Sequence, residues 1–435
     1  MRDLIVAVYI LGALPLILIR PQVGALMWCV VSYMNPHQLG WGFMSTFPVA
    51  MAVGGATLVG FVTTSKDRGR MRLDVVMAMM ALFGLWICIT TLAAVDISMS
   101  AVKWNKVVKL LAMTFVTFWL MQTRERIHAL VWVIVVSIGV YGLRGGAFTI
   151  ITGGAGRVFG PPLTMLEDNN QLALALIVIV PLMRYLQTNS ANRWVRRGLL
   201  VAMLLTGVSI VGSFSRGAML ASTAMGGWML LRAKHKLITL VALAIVATVG
   251  LSVAPETWFA RMHTIKTYNA DESVLGRFDA WTFAFRMALQ RPLVGGGFSV
   301  NDNAPLFMQL VPEAAEPRAF HSIYFEVLGE HGFVGLGLFL GLGAVAFART
   351  AALRRQCLKR PETAWAADLT TMVQTSLVGF AVGGAFLNLA FFDLYYHLLA
   401  LVALVGVVVS EPPRPPFRHR SALRQDSAAV TRSLT

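Results

Sequence analysis

The sequence predicts an all-α polytopic membrane protein, on three observations. Of 435 residues, 57% are hydrophobic and only 13% are charged, with a mean hydropathy of +0.67. A soluble domain carries about 25% charged residues, roughly twice that share. Apolar runs recur along nearly the whole chain, and basic residues gather in alternate connections between them.

The runs lie near 4–19, 23–35, 49–63, 75–94, 106–121, 128–143, 170–187, 198–213, 217–231, 237–253, 333–348, 366–390 and 395–410. A full crossing takes about 20 apolar residues, and several runs are shorter. The first two, parted by Arg20-Pro21, read as one broken or re-entrant element, so about 12 transmembrane helices are expected. The chain divides into N-terminal transmembrane helices (1–143), a glycine-rich loop (144–169) and further transmembrane helices (170–253). A large loop (254–320), C-terminal transmembrane helices (321–410) and a basic tail (411–435) follow.

The net charge of +16 invites a nucleic-acid reading, but its distribution excludes one. Lys66, Arg68, Arg70 and Arg72 share one connection, and Arg184, Arg193, Arg196 and Arg197 another. Arg232, Lys234 and Lys236 occupy a third, and Arg349, Arg354, Arg355, Lys359 and Arg360 a fourth. Basic residues in every second connection mark the cytoplasmic side. The 254–320 loop, with six Lys/Arg against seven Asp/Glu, then lies outside the cytoplasm. Helical spans exclude an outer-membrane barrel, which leaves a bacterial inner membrane as host and membrane lipids as neighbours. Cys29, Cys88 and Cys357 form neither a disulfide frame nor a metal pattern. His37, His263 and His397 have no ligand-like neighbours, and no HExxH or CxxC occurs, so no metal or other cofactor is expected.

Two non-cytoplasmic segments carry the chemistry. Arg144 to Asn169 is rich in glycine, with Arg144-Gly145-Gly146, Gly153-Gly154, Gly156-Arg157 and Gly160-Pro161-Pro162. The 254–320 loop contains amphipathic helical material around 276–290, with Phe278, Trp281, Phe285 and Leu289 on one face. At its end, His321-Ser322 stands nine residues before Gly332, with Gly335 one turn further. A histidine at the N-terminus of a returning helix is held neutral by the positive helix end, as a general base requires. Read alone, it is more often an interfacial histidine with an ordinary hydrogen bond.

Arginines on the same side change that balance. Arg216, Arg277 and Arg157 lie against the positive-inside gradient, where a guanidinium needs an anionic partner. Guanidinium groups grip phosphate through two parallel bonds at fixed charge. Snorkelling, or pairing with Asp168, Asp279 or Glu330, is the structural alternative. No carboxylate pair stands out; Glu326 reads equally as an orienting or a packing residue.

At these residues the chain resembles the O-antigen ligase/polymerase superfamily of bacterial inner-membrane glycosyltransferases. His321-Ser322-x9-Gly332-xx-Gly335, with Glu330 before Gly332, fits its histidine–glycine signature. Ser215-Arg216-Gly217 matches the start of the shared region, and Arg277-xxx-Trp281 with Pro292-xx-Gly295-x-Gly297 the stretch before the histidine. Ser322 stands where asparagine is common. Met34-Asn35-Pro36-His37 and Asp168-Asn169-Asn170 are similar to O-glycosylation ligases grouped with exosortase systems.

The resemblance implies a GT-C-like, metal-independent enzyme. It would take an undecaprenyl-pyrophosphate-linked glycan donor and pass the glycan to lipid A-core at the periplasmic face. His321 would be the base and Arg216, Arg277 and Arg157 the pyrophosphate ligands. Ser215, Trp281, Ser322, Glu330, Gly332 and Gly335 would support them. A protein O-glycosylation ligase and an O-antigen polymerase share these motifs. A transporter of lipid-linked sugar would use the same arginines without a base.

Overall fold

A computed structural model describes residues 2–38, 42–64, 69, 74–233, 235–252, 258–259 and 272–410. Lys66, Arg68, Arg70, Arg72, Lys234, His263 and the tail 411–435 lie outside the described residues, so their expected roles are not addressed by the structure. Among the described residues all regular structure is helical.

Each of the thirteen apolar runs overlaps a helix, although the run 366–390 outlasts its helix, which ends at Gly384. The helices are α1 (Arg2–Ile19), α2 (Pro21–Met34), α3 (Val49–Thr63), α4 (Val75–Leu92), α5 (Ile97–Leu120), α6 (Arg124–Ile151) and α7 (Asn169–Asn189). After them come α8 (Arg193–Gly212), α9 (Arg216–Arg232) and α10 (Lys236–Ser252). The large loop contributes α11 (Glu272–Gln290) and the short α12 (Ala304–Leu310). The chain then re-enters as α13 (Ile323–Cys357), α14 (Ala364–Gly384) and α15 (Asp393–Ser410). Six of these, α4, α6, α7, α8, α13 and α15, are long and apolar enough to cross a membrane. The others are short, like the 17-residue α9 and α10, or carry polar residues, like α5 with Lys103, Lys106 and Lys109.

The Arg20-Pro21 break separates α1 from α2. Proline fits the first position of α2, where its missing N–H has no helical partner. Gly24 lets α2 close on Ile17 and Thr57, where an added Cβ would come within 2.1 Å of the threonine hydroxyl. The expected loop from Arg144 begins later, because α6 continues to Ile151. Its glycines serve helix packing. A Cβ on Gly142 would meet Thr206 at 2.5 Å, one on Gly145 Ser209 at 2.3 Å, and one on Gly146 the Leu205 carbonyl at 2.1 Å. Small residues at this spacing let α6 and α8 approach backbone to backbone.

The most deeply enclosed helices are α7 and α15, around which α4, α5, α6 and α14 pack. Ends of α4, α6, α7, α13 and α14 meet at one end of the bundle. There Arg124 stacks on Trp365, Asn189 reaches Asp368, and Arg349 pairs with Asp74 at 3.3 Å. His397 is a core hydrogen-bonding residue, held by Tyr33 Oη at 2.7 Å and the Asp393 carbonyl at 2.9 Å.

Candidate active site

Three helices begin side by side at the other end of the bundle. Asp168 caps α7 by accepting from Asn170 N–H at 2.8 Å, and Asn169 Nδ2 donates to the Ser213 carbonyl at 2.6 Å. That contact ties α7 to the turn before α9. Ser215 caps α9, accepting from Ala218 N–H at 3.2 Å. At α13, Ser322 is the buried N-cap residue and its side chain makes no capping bond. The starts of α9 and α13 flank one turn at the end of α14, where Gly217 faces Phe386 and Gly384 faces Ile323. Three positive helix ends thus open on one mouth, a natural place for anionic groups.

His321 stands at this mouth with φ 45°, in the left-handed region that non-glycine residues seldom occupy. Phe214, just before Ser215, has φ 58°. Strain of this kind persists only where surrounding contacts over-determine it, and it clusters at functional sites. Here Trp281 supplies a contact. Its Nε1–H donates to the Phe320 carbonyl at 2.8 Å, and its ring stacks on Phe325 at 4.9 Å. The motif tryptophan therefore holds the backbone just before the histidine and packs on a side chain just after it. The imidazole touches solvent, yet loss of water around it lowers its pKa below the ordinary value. Arg277 adds to that shift, Asp168 opposes it, Arg318 adds and Glu326 opposes. The structure therefore brings Arg277 within electrostatic reach of His321.

The glycines of the motif make a hinge. Gly332 has φ 70° and ψ −172°, a conformation open to glycine, and splits α13 into nine residues before it and 25 after it. Phe333 N–H donates to the Pro292 carbonyl at 2.9 Å, and its helical counterpart, the Gly329 carbonyl, accepts from Gly296 N–H at 2.9 Å. Gly297 N–H reaches the Glu330 carbonyl at 2.9 Å. A Cβ on Gly332 would lie 2.5 Å from the Leu293 carbonyl, and one on Gly335 would lie 2.3 Å from His331 Cβ. The Pro292–Gly297 segment is thus stitched into the break of the helix.

Beneath the hinge sits a cluster that the sequence did not suggest. Lys103 on α5 contacts Glu326 and Glu330 at 2.7 Å each, although no carboxylate pair stood out beforehand. Glu330 Oε1 also accepts from Ser299 N–H at 2.9 Å, and Glu326 Oε2 from Ala390 N–H at 3.1 Å. His331, buried beside them, reaches Thr90 Oγ1 at 2.7 Å. The readable signals were a lysine inside an apolar helix, which needs a partner, and two glutamates four residues apart on one helical face.

Arg216 opens α9 at the mouth. Arg157 lines, with Arg144, a pocket whose walls include none of His321, Arg216 and Arg277. On α11, Phe278, Phe285 and Leu289 share a face as expected, but that face is exposed. The opposite one, with Ala280, Phe283, Ala284 and Met287, forms a small core with Phe307 and Phe320. Among the described residues no group of three or more His, Cys, Asp or Glu side chains is gathered as a metal ligand set.

Fold and site together define a multi-pass helical membrane protein with a mouth suited to anions, where the accessible His321 stands. Residues 201–340 match the family model described as O-antigen ligase, so this part of the chain is similar to that family. Residues 1–191 match a family of unknown function. No curated protein matches the chain.

Proposed function

We propose that this protein is an O-antigen ligase. It moves a glycan from undecaprenyl pyrophosphate to a hydroxyl of lipid A-core at the periplasmic face of a bacterial inner membrane. The acceptor oxygen attacks the anomeric carbon of the donor. The bond from that carbon to the pyrophosphate oxygen breaks, and its electron pair leaves with undecaprenyl pyrophosphate. The acceptor proton passes to the His321 imidazole. Arg216 and Arg277 hold the pyrophosphate, so the leaving group departs with its charge compensated and no metal is required. Attack opposite the leaving group inverts the anomeric carbon, as in a GT-C-type transferase.

The observation that carries this reading is a strained histidine of lowered pKa, sharing its mouth with Arg277 and three helix N-termini, inside the segment similar to the O-antigen ligase family. The mouth lies at the end opposite Arg124 and Arg349, and under the positive-inside rule this supports a periplasmic mouth. A protein acceptor is the second reading. Its support is the resemblance of Met34-Asn35-Pro36-His37 and Asp168-Asn169-Asn170 to O-glycosylation ligases.

The test is transfer by the purified full chain in detergent, given undecaprenyl-pyrophosphate-linked glycan with lipid A-core and, in parallel, with a protein acceptor. A glycan–lipid A-core product supports the first reading and a glycoprotein the second. Longer carrier-linked glycan as the sole product would make the protein a polymerase. No new glycosidic bond, with passage of the lipid-linked sugar across vesicles, would make it a transporter.

A further inference from the structure

The pocket beside the mouth has a volume of about 420 Å³, in the range of small-molecule sites. It is lined by Arg144, Arg157, Tyr141, Phe148, Phe159 and the Pro161-Pro162 pair, among others. Arg144 comes from the last turns of α6 and Arg157 from the loop that follows. That loop is held in place by its backbone. Val158 N–H donates to the Gly212 carbonyl at 3.0 Å, and Gly160 N–H to the Glu167 carbonyl at 3.1 Å. Gly160 permits the fold-back, since a Cβ there would lie 1.8 Å from the Leu166 carbonyl.

The acids of this loop are otherwise engaged. Glu167 accepts from Leu163 N–H at 2.9 Å, and Asp168 caps α7. Neither Arg144 nor Arg157 has an ion pair or hydrogen bond to a described residue. Two guanidinium-bearing residues line one cavity whose walls include no carboxylate, an arrangement that favours entry of an anion. The remaining walls are flat and apolar, with Phe148 and Phe159 well exposed. Such faces suit the C–H surfaces of a sugar ring, and the volume is too large for a phosphate alone.

We propose that Arg144 and Arg157 form a second anion site, distinct from the donor clamp, that takes a phosphorylated or carboxylated saccharide. The chemistry could be supplied by the acceptor glycolipid or by an acidic sugar of the donor glycan. Only the assignment between these two rests on the transferase reading.

Binding is tested on the full chain in detergent by calorimetry, in an Arg216→Gln/Arg277→Gln background that removes the clamp. The probes are glucose 1-phosphate, glucuronate, glucose and inorganic phosphate. Both anionic sugars should bind, and Arg144→Gln or Arg157→Gln should weaken each at least about tenfold. Because both arginines are exposed, these variants should elute as monodisperse as their parent. Glucose binding as well as glucose 1-phosphate, or unchanged binding in the Arg144→Gln/Arg157→Gln protein, overturns the site. Inorganic phosphate binding as tightly as glucose 1-phosphate overturns the saccharide part. In a transfer assay with Arg216 and Arg277 intact, the same two substitutions should raise one KM with little change in kcat. A rise for the acceptor assigns the site to it, and a rise for the donor assigns it there. Absence of transfer in every protein would sink the ligase reading while leaving the binding result standing.

Discussion

His321 combines three properties that can be separated by substitution: a left-handed backbone, a basic ring and a neighbouring arginine. Asparagine tolerates positive φ better than other non-glycine residues, so His321→Asn keeps the local backbone while removing the base. Transfer by that variant should fall by about 10²–10⁴-fold, the usual contribution of a general base, with unchanged expression and elution. Activity within twofold of wild type, by about the assay's own scatter, would remove the histidine from the chemistry. The pH profile gives an independent check. Desolvation and Arg277 both favour the neutral ring, so the base stays unprotonated below the ordinary histidine value of about 6.5. The acid limb of kcat/KM should therefore lie below that value. In Arg277→Gln one lowering influence is gone, and the limb should move up in pH. A limb that stays put means another group titrates.

At the scale of elements, the Gly332 hinge determines how α13 is used. Its backbone is closed to side chains, and the carbonyl of Leu293 occupies the place a Cβ would take. Gly332→Ala should cost about 1–3 kcal/mol from backbone strain alone, read as a lower melting temperature in detergent, and more once the stitched segment shifts. Trp281→Phe keeps the stack on Phe325 but loses the bond to the Phe320 carbonyl. It should lower kcat with little change in melting temperature; a matching loss of both would make the tryptophan a packing residue only.

The helices themselves were legible in the sequence, because a run of apolar residues in a chain with so little charge has few alternatives. The histidine–glycine interval and Trp281 were legible as motifs, yet their reason was not, since hydrogen bonds such as Phe333 to Pro292 join segments about 40 residues apart. The end of α6 was misread because Gly145 and Gly146 resemble a loop until α8 is seen lying against them. Lys103 was passed over because its partners lie more than 220 residues away.

For the whole molecule, the two family segments do not form two separate bodies. Lys103, Thr90 and Ser100 belong to residues 1–191, and they meet Glu326, Glu330, His331 and the Phe298 carbonyl from residues 201–340. The Arg291 guanidinium reaches back to the Ala93 carbonyl, and Val95 N–H to the Gly296 carbonyl at 2.9 Å. Lys103→Met leaves two buried carboxylates unpaired and should destabilise the protein, toward the lower end of about 3–5 kcal/mol since the lysine is partly exposed. Adding Glu326→Gln and Glu330→Gln removes the stranded charges while keeping oxygens for Ala390 N–H and Ser299 N–H. The triple variant should recover much of the melting temperature; a further fall would show that the charges are not the source of the loss.

The hinge also acts as a ruler. With Gly332 fastened to the loop, each residue between it and Ser322 sets the azimuth at which the chain emerges. One added residue would rotate the start of α13 by about 100° and lift it by about 1.5 Å. His321 would then face a neighbouring helix instead of the mouth, with every side chain still present. The nine-residue interval is thus a phase, and an insertion of one alanine after Val327 should silence transfer as fully as loss of the imidazole.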